Sequence, residues 1–271
     1  MSGQNKVKAK SKGVPMLVWQ VLLGACFLLA WQAGSSAGVL DKFFFSRPSD
    51  VISRVWQMIA TGAIWVNLGT TLLEAALSFL IGVSAGVLFG FLLARNRFLA
   101  RLLDPYIRIV NALPRVVLAP IFLLWFGLGI WSKVALGVTV VFFIVFFNTF
   151  QGVREVDPVI VDNARMLGAS ERQLIRHVLI PSALTWIFSS LHISIGFAII
   201  AVVVGEYLGS SRGIGYMISQ AEGVFDTTGV FAGMAILAGV VLGVGSLVGR
   251  LEHYLLRWKV RDTESVKGDV S

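Results

Sequence analysis

Long apolar runs alternate with short polar segments along almost the whole chain. The runs fall at about 16–34, 67–94, 104–127, 132–152, 182–208 and 229–250. Each is close to the roughly 20 residues that a helix needs to cross a bilayer core. The pattern predicts an all-α membrane protein with six transmembrane helices. The first run follows a basic start and precedes small residues (Ala33 to Ala37), which also fits a signal peptide. The even span count selects an uncleaved anchor. Between the first two runs, Val51, Ile52, Val55, Trp56 and Ile59 predict a short amphipathic helix at the outer interface, with Trp56 and Trp65 at the depth aromatic anchors prefer.

Three of the runs have internal structure. In the second, Ser78, Gly82, Gly86, Gly90 and Ala94 recur every fourth residue. This stripe of small side chains allows another helix to approach closely. A shorter stripe, Ala235, Gly239 and Gly243, lies in the sixth. Both are expected to need partners, in a second copy or within the chain. The third run is interrupted by Pro105, Pro114 and Pro120 and carries Asp104, Arg108 and Arg115. Broken backbone at membrane depth is tolerated only against protein or a water-filled cavity. An Arg at the bilayer centre costs on the order of 3 kcal/mol. The segment Asn111 to Pro120 is therefore expected to face a polar path, with pairing of Arg115 inside the bundle as the competing reading.

The polar interruption at 154–181 is patterned differently from the other loops. Asp157 and Pro158 form a helix start. Ile160, Ala164 and Leu167 share one helical face, and Gly168 is placed to end that helix in a left-handed cap. Ser170 and Gln173 then form a capping box for a second helix, expected to run to Pro181. Two capped, amphipathic, basic helices between spans fit either a solvated connector or a small docking element.

Composition narrows the class. The chain has 271 residues, 56% hydrophobic and 14% charged, against roughly 25% charged in a soluble domain. The net charge of +8 comes from loops, not from a nucleic-acid patch. With six spans and an inner N-terminus, inner segments hold 16 of the 23 Lys and Arg residues and outer segments hold 5. That places both termini and the 154–181 loop in the cytoplasm. The single Cys26 permits no intrachain disulfide, and the three histidines are scattered. No phosphate-binding Gly-x-x-x-x-Gly-Lys-Ser/Thr occurs, nor any nucleophile elbow or zinc motif.

Asp162-Asn163-Ala164, Gly168-Ala169-Ser170 and Val178-Leu179-Ile180-Pro181 resemble the EAA loop of binding-protein-dependent ABC transporter permeases. Asp stands for the Glu of that family's Glu-Ala-Ala triplet, and Asn for its first Ala. Ala112-Leu113-Pro114-Arg115, Leu118-Ala119-Pro120, Leu124 to Gly129, Glu206-Tyr207-Leu208-Gly209 and Gly213 to Tyr216 look like the branch that imports nitrate, sulfonates and taurine. The resemblance covers roughly residues 64–255. It implies a type I ABC importer bundle in the inner membrane, preceded by a disordered basic tail at 1–15 and a first span with an external segment at 16–63, and followed by a tail at 256–271.

The resemblance implies a partner set. Two ABC ATPase subunits carry ATP and Mg, so this chain binds no cofactor or metal and is not itself an enzyme. An extracytoplasmic solute-binding protein delivers the substrate, and the permease is a homodimer. Docking on the ATPase is expected at Pro158, Asp162, Asn163, Ala164, Leu167, Gly168 and Ala169. A translocation path is expected along Asn111, Pro114, Arg115 and Pro120, with Glu206. A small anion is the expected cargo; relatives in that branch also carry vitamin precursors and aromatic carboxylates. An ion-coupled secondary transporter is the remote alternative. It would need intramembrane carboxylates and paired half-repeats, and only Glu74 and Glu206 are candidates. A membrane-embedded enzyme lacks a catalytic constellation.

Overall fold

Three long helices form the centre. In the computed structural model, which describes residues 16–255 (side chains to 250), the elements run as follows. Helix α1 (Met16–Ser36) leads into the short α2 (Lys42–Phe45), α3 (Pro48–Ala60) and α4 (Ala63–Arg95). Next come α5 (Arg97–Ala112), a 3-10 turn at Arg115–Leu118, α6 (Ala119–Phe126) and α7 (Ile130–Arg154). The chain continues through α8 (Pro158–Met166), α9 (Glu171–Leu174), a π turn at Ile175–Leu179, α10 (Ile180–Leu208), α11 (Ile214–Gly223) and α12 (Thr227–Leu255). Five helical segments are long and apolar enough to cross a membrane, or six if α5 and α6 count as one bent span. The tails expected at 1–15 and 256–271 lie outside the described residues.

Helices α4, α7 and α10 pack on one another to make the core. The small-residue stripe explains how. A Cβ on Gly82 would sit 2.7 Å from Val141 Cβ, one on Gly86 2.9 Å from Phe142 O, and one on Gly90 2.7 Å from Phe146 O. The α7 backbone thus lies directly against the α4 glycines. In lipid, where apolar burial drives little, this close van der Waals fit is what holds helices together. Val141, Val145 and Ala198 form the packed layer between the three helices. The stripe of the second span is therefore filled within the chain. The stripe of the sixth is not: no heavy atom among the described residues lies within 4 Å of where a Cβ would stand on Gly239 or Gly243.

The third run is not one straight helix. α5 and the Arg115–Phe126 segment meet at an angle of 87°. Pro114 removes a backbone donor and disfavours helix at Leu113, which is extended (φ −69°, ψ 131°). Pro105, in contrast, sits inside α5 without breaking it. A second difference concerns Pro181. The helix starting at Glu171 does not stop there but continues into α10, giving one helical segment from Glu171 to Leu208. The π turn bonds Ile180 N–H to Ile175 O, one residue further back than an α-helix would. That wider register accommodates a proline one residue later, at the cost of a local bulge.

The amphipathic helix expected between the first two runs is present as α3, with Ile52 and Trp56 exposed. It packs on α12 and α4. α1 touches little besides α3, and its apolar surface is almost wholly uncovered.

Candidate functional site: an exposed two-helix module and a buried polar node

The α8–α9 module is built by its caps. Asp157 accepts a hydrogen bond from Val159 N–H at 2.8 Å, and Pro158 occupies the first helical position, where no donor is needed. α8 ends in a complete Schellman motif. Ala169 N–H bonds Ala164 O at 3.0 Å and Gly168 N–H bonds Arg165 O at 2.9 Å. Gly168 takes φ +83°, where any side chain is strained. Ser170 and Gln173 form the reciprocal capping box that opens α9. The module is tied to the spans by Glu171, which pairs with Arg165 at 3.1 Å and with Arg95 at the end of α4 at 3.4 Å.

What these caps hold in place is an apolar surface with nothing on it. Val159, Ile160, Met166 and Leu167 are exposed, Leu167 at 88%. Of the face predicted from Ile160, Ala164 and Leu167, the first and last are exposed and Ala164 is partly covered. Pro158, Asp162 and Asn163 are exposed beside it, while Ala164 and Ala169 are half-buried. Behind it, Ala164, Leu167, Gly168, Ala169, Leu174 and Val178 line a shallow cavity of about 290 Å³. An exposed apolar surface on a rigid, capped element is the signature of an interaction site.

The residues expected on a path are only partly brought together. Arg115 donates to Asn111 Oδ1 at 2.6 Å, and its guanidinium lies 5.1 Å from the Phe143 ring centre. Asn111, Pro114 and Pro120 are exposed around it. Beside Arg115 is an apolar cavity of about 90 Å³ lined by Leu136, Val140, Phe197, Ile200 and Val204. Glu206 lies in a different cluster.

That cluster is a buried polar node that sequence reasoning missed. Glu206, Lys133 and Thr71 have no exposed surface, and Glu74 almost none. Thr71 Oγ1 donates to Glu206 Oε1 at 2.7 Å, and Gly215 N–H donates to Oε2 at 2.8 Å. Ile214 N–H donates to Thr71 Oγ1 and Gly213 N–H to Asn67 Oδ1, both at 2.9 Å. Lys133 Nζ donates to Leu128 O at 2.6 Å and Gly129 O at 3.0 Å. It also acts electrostatically on both carboxyl groups, and Glu74 Oε2 is buried without a hydrogen-bond partner. The available signal was the presence of Lys133, Glu74 and Glu206 at the ends of apolar runs, since charges there must pair.

The comparisons with known proteins accord with this architecture. Residues 82–261 match the family described as binding-protein-dependent transport system inner membrane component. The chain belongs to that family. It is 35% identical to the putative aliphatic sulfonates transport permease protein SsuC of Bacillus subtilis, over 88% of this chain and 87% of the relative. It is 33% identical to the riboflavin transport system permease protein RibX of Chloroflexus aurantiacus, over 86% and 87%. Among solved structures, an amino acid ABC transporter crystallised with histidines superposes with a TM-score of 0.58 at 20% identity, covering 74% of this chain and 97% of that one. That similarity shows a shared fold. The chain is thus the multi-pass inner-membrane permease subunit of a binding-protein-dependent ABC importer, without an ATPase domain and with no cofactor expected on it.

Proposed function

We propose that this permease carries a small organic anion of the sulfonate or taurine type, and that residues 158–169 form the contact through which an ATPase subunit drives it. The observation that carries the docking reading is the uncovered apolar face of α8, held rigid by a Schellman motif at one end and an Asp cap at the other. Pro158 and Asp157 set the entry of the helix. Asp162, Asn163 and Ala164 present its side, and Leu167, Gly168 and Ala169 form its tip. Two permease copies on two ATPases complete the assembly, a reading supported by the uncovered Ala235, Gly239 and Gly243 stripe of α12. An extracytoplasmic binding protein supplies the solute.

The anion reading rests on Arg115 and on the sulfonate relative. A cation flanked by an apolar cavity suits a head that is negative and a body that is not. Arg115 with Asn111, Pro114 and Pro120 lines the route; Glu206, expected on the same route, is engaged with Thr71 and Gly215. The riboflavin permease at 33% identity favours a second reading, a vitamin-type solute in the same importer class. Uptake into vesicles holding permease, ATPase and binding protein separates them. Competition by taurine and short alkanesulfonates supports the anion, and competition by riboflavin alone contradicts it.

A further inference from the structure

α11 has no span of its own, yet both of its ends are fastened to consecutive residues of α10. At its start, Gly215 N–H is held by Glu206 Oε2 at 2.8 Å. Gly213, at φ +111°, lies so close that a Cβ there would run into the Glu206 carboxyl, and a Cβ on Gly215 would collide with Val203 O. Toward its end, Glu222 Oε2 accepts from Tyr207 Oη at 2.5 Å. The carboxylate of Glu206 sits at the N-terminus of a ten-residue helix, where the backbone dipole favours it. It is fully buried and accepts from Thr71 as well.

The other end of α10 is the docking module. Glu171 to Leu208 is one helical segment of 38 residues, about 57 Å long at 1.5 Å per residue. That is nearly twice the ~30 Å of a bilayer core. Its helical register changes at the π turn of Ile175–Leu179, between α9 and α10.

We propose that Glu206 and Tyr207 are positioning residues that make α11 follow α10, so that movement imposed on the α8–α9 module reaches the opposite face of the membrane. The proposal rests on the docking reading and goes beyond it, by assigning a transmitted motion to α11. Asn67 and Thr71 of α4 hold the same loop through Gly213 and Ile214.

The test uses the full permease–ATPase complex in liposomes, with Cys26→Ser and a single Gln220→Cys on the exposed face of α11. A water-soluble maleimide reads the modification rate of that cysteine with and without trapping by ATP and vanadate. The expected result is a several-fold difference in rate between the two states. Glu206→Gln is expected to abolish that difference while trapping proceeds, and Glu206→Asp to restore part of it. A residue that only stabilises the fold would change the amount of inserted protein and leave the ratio of rates alone. Where Glu206→Gln does not insert, Tyr207→Phe with Glu222→Gln removes the other, exposed tie and is expected to reduce the difference. An unchanged rate on trapping in the parent overturns the proposal. So does a full difference persisting in Glu206→Gln or, where that variant does not insert, in the double variant. Failure of the complex to trap at all tells against the docking reading instead.

Discussion

The α4–α7 interface and the α8–α9 module are both organised around glycine, in opposite ways. On α4, glycine is required by what lies outside the helix: the α7 backbone occupies the place of each missing side chain. At Gly168, no heavy atom lies within 4 Å of where a Cβ would stand, and glycine is required by its own backbone angle. The first region is completed by a single chain. The second is shaped but uncovered, and its strongest local devices hold a surface that nothing among the described residues covers. The contrast separates residues that make the fold from residues that present it to a partner.

Substitutions at the two kinds of glycine should differ in kind. Gly86→Val drives a branched side chain into Phe142 O and Val145. Overpacking of this sort costs about 1–3 kcal/mol or more where backbone cannot move. The expected outcome is a large loss of monodisperse protein after detergent extraction. Gly168→Val meets no neighbour and costs about 1–2 kcal/mol of local left-handed strain. Membrane-inserted protein should stay near the parent level while ATP-driven uptake per inserted molecule falls sharply. Equal losses of folded protein in both variants would erase the distinction.

Smaller effects sharpen it. Ser170→Ala removes one half of the capping box, worth about 1 kcal/mol. It should loosen the start of α9, raising hydrogen exchange at Glu171 to Gln173 without altering the core. The smallest effect is electrostatic and lies on the outer surface. A hydrogen bond and charge from Lys42, at 2.8 Å, hold the Asp50 carboxyl below the usual carboxylate range. Its contribution to stability is complete above that range and is lost as pH falls through the depressed value. Thermal unfolding of the parent should weaken slightly more on acidification than that of Lys42→Met, and the two curves should be parallel near neutrality.

Local chemistry was the most legible part of the sequence. The Asp157 cap, the Ser170–Gln173 box and the left-handed Gly168 each follow from residues within four positions of one another, and each is present as expected. The apolar runs likewise place five of the candidate spans, while the third run folds into two helices at 87°. Features that depend on which helices meet were not legible. The α4 stripe shows that a close neighbour exists but not that α7 is the neighbour, so it carried no information about a second copy. The node joining Asn67, Thr71, Lys133 and Glu206 draws on three spans and the loop before α11. Nothing in the spacing of those residues brings them together. Pro181 was read as a boundary because proline normally ends a helix; the π turn ahead of it lets the helix continue.

The central claim is that the exposed tip of α8 is an ATPase contact, and Leu167→Asp tests it most directly. Leu167 is 88% exposed, so a charge there removes no packing within the chain. Val39, 81% exposed and outside the candidate spans, serves as the control for an added surface aspartate. The measurement is the amount of ATPase subunit that co-purifies with each variant, normalised to permease. The account predicts that Val39→Asp retains its ATPase while Leu167→Asp, inserted at the parent level, loses most of it. Full retention of the ATPase by Leu167→Asp would contradict it.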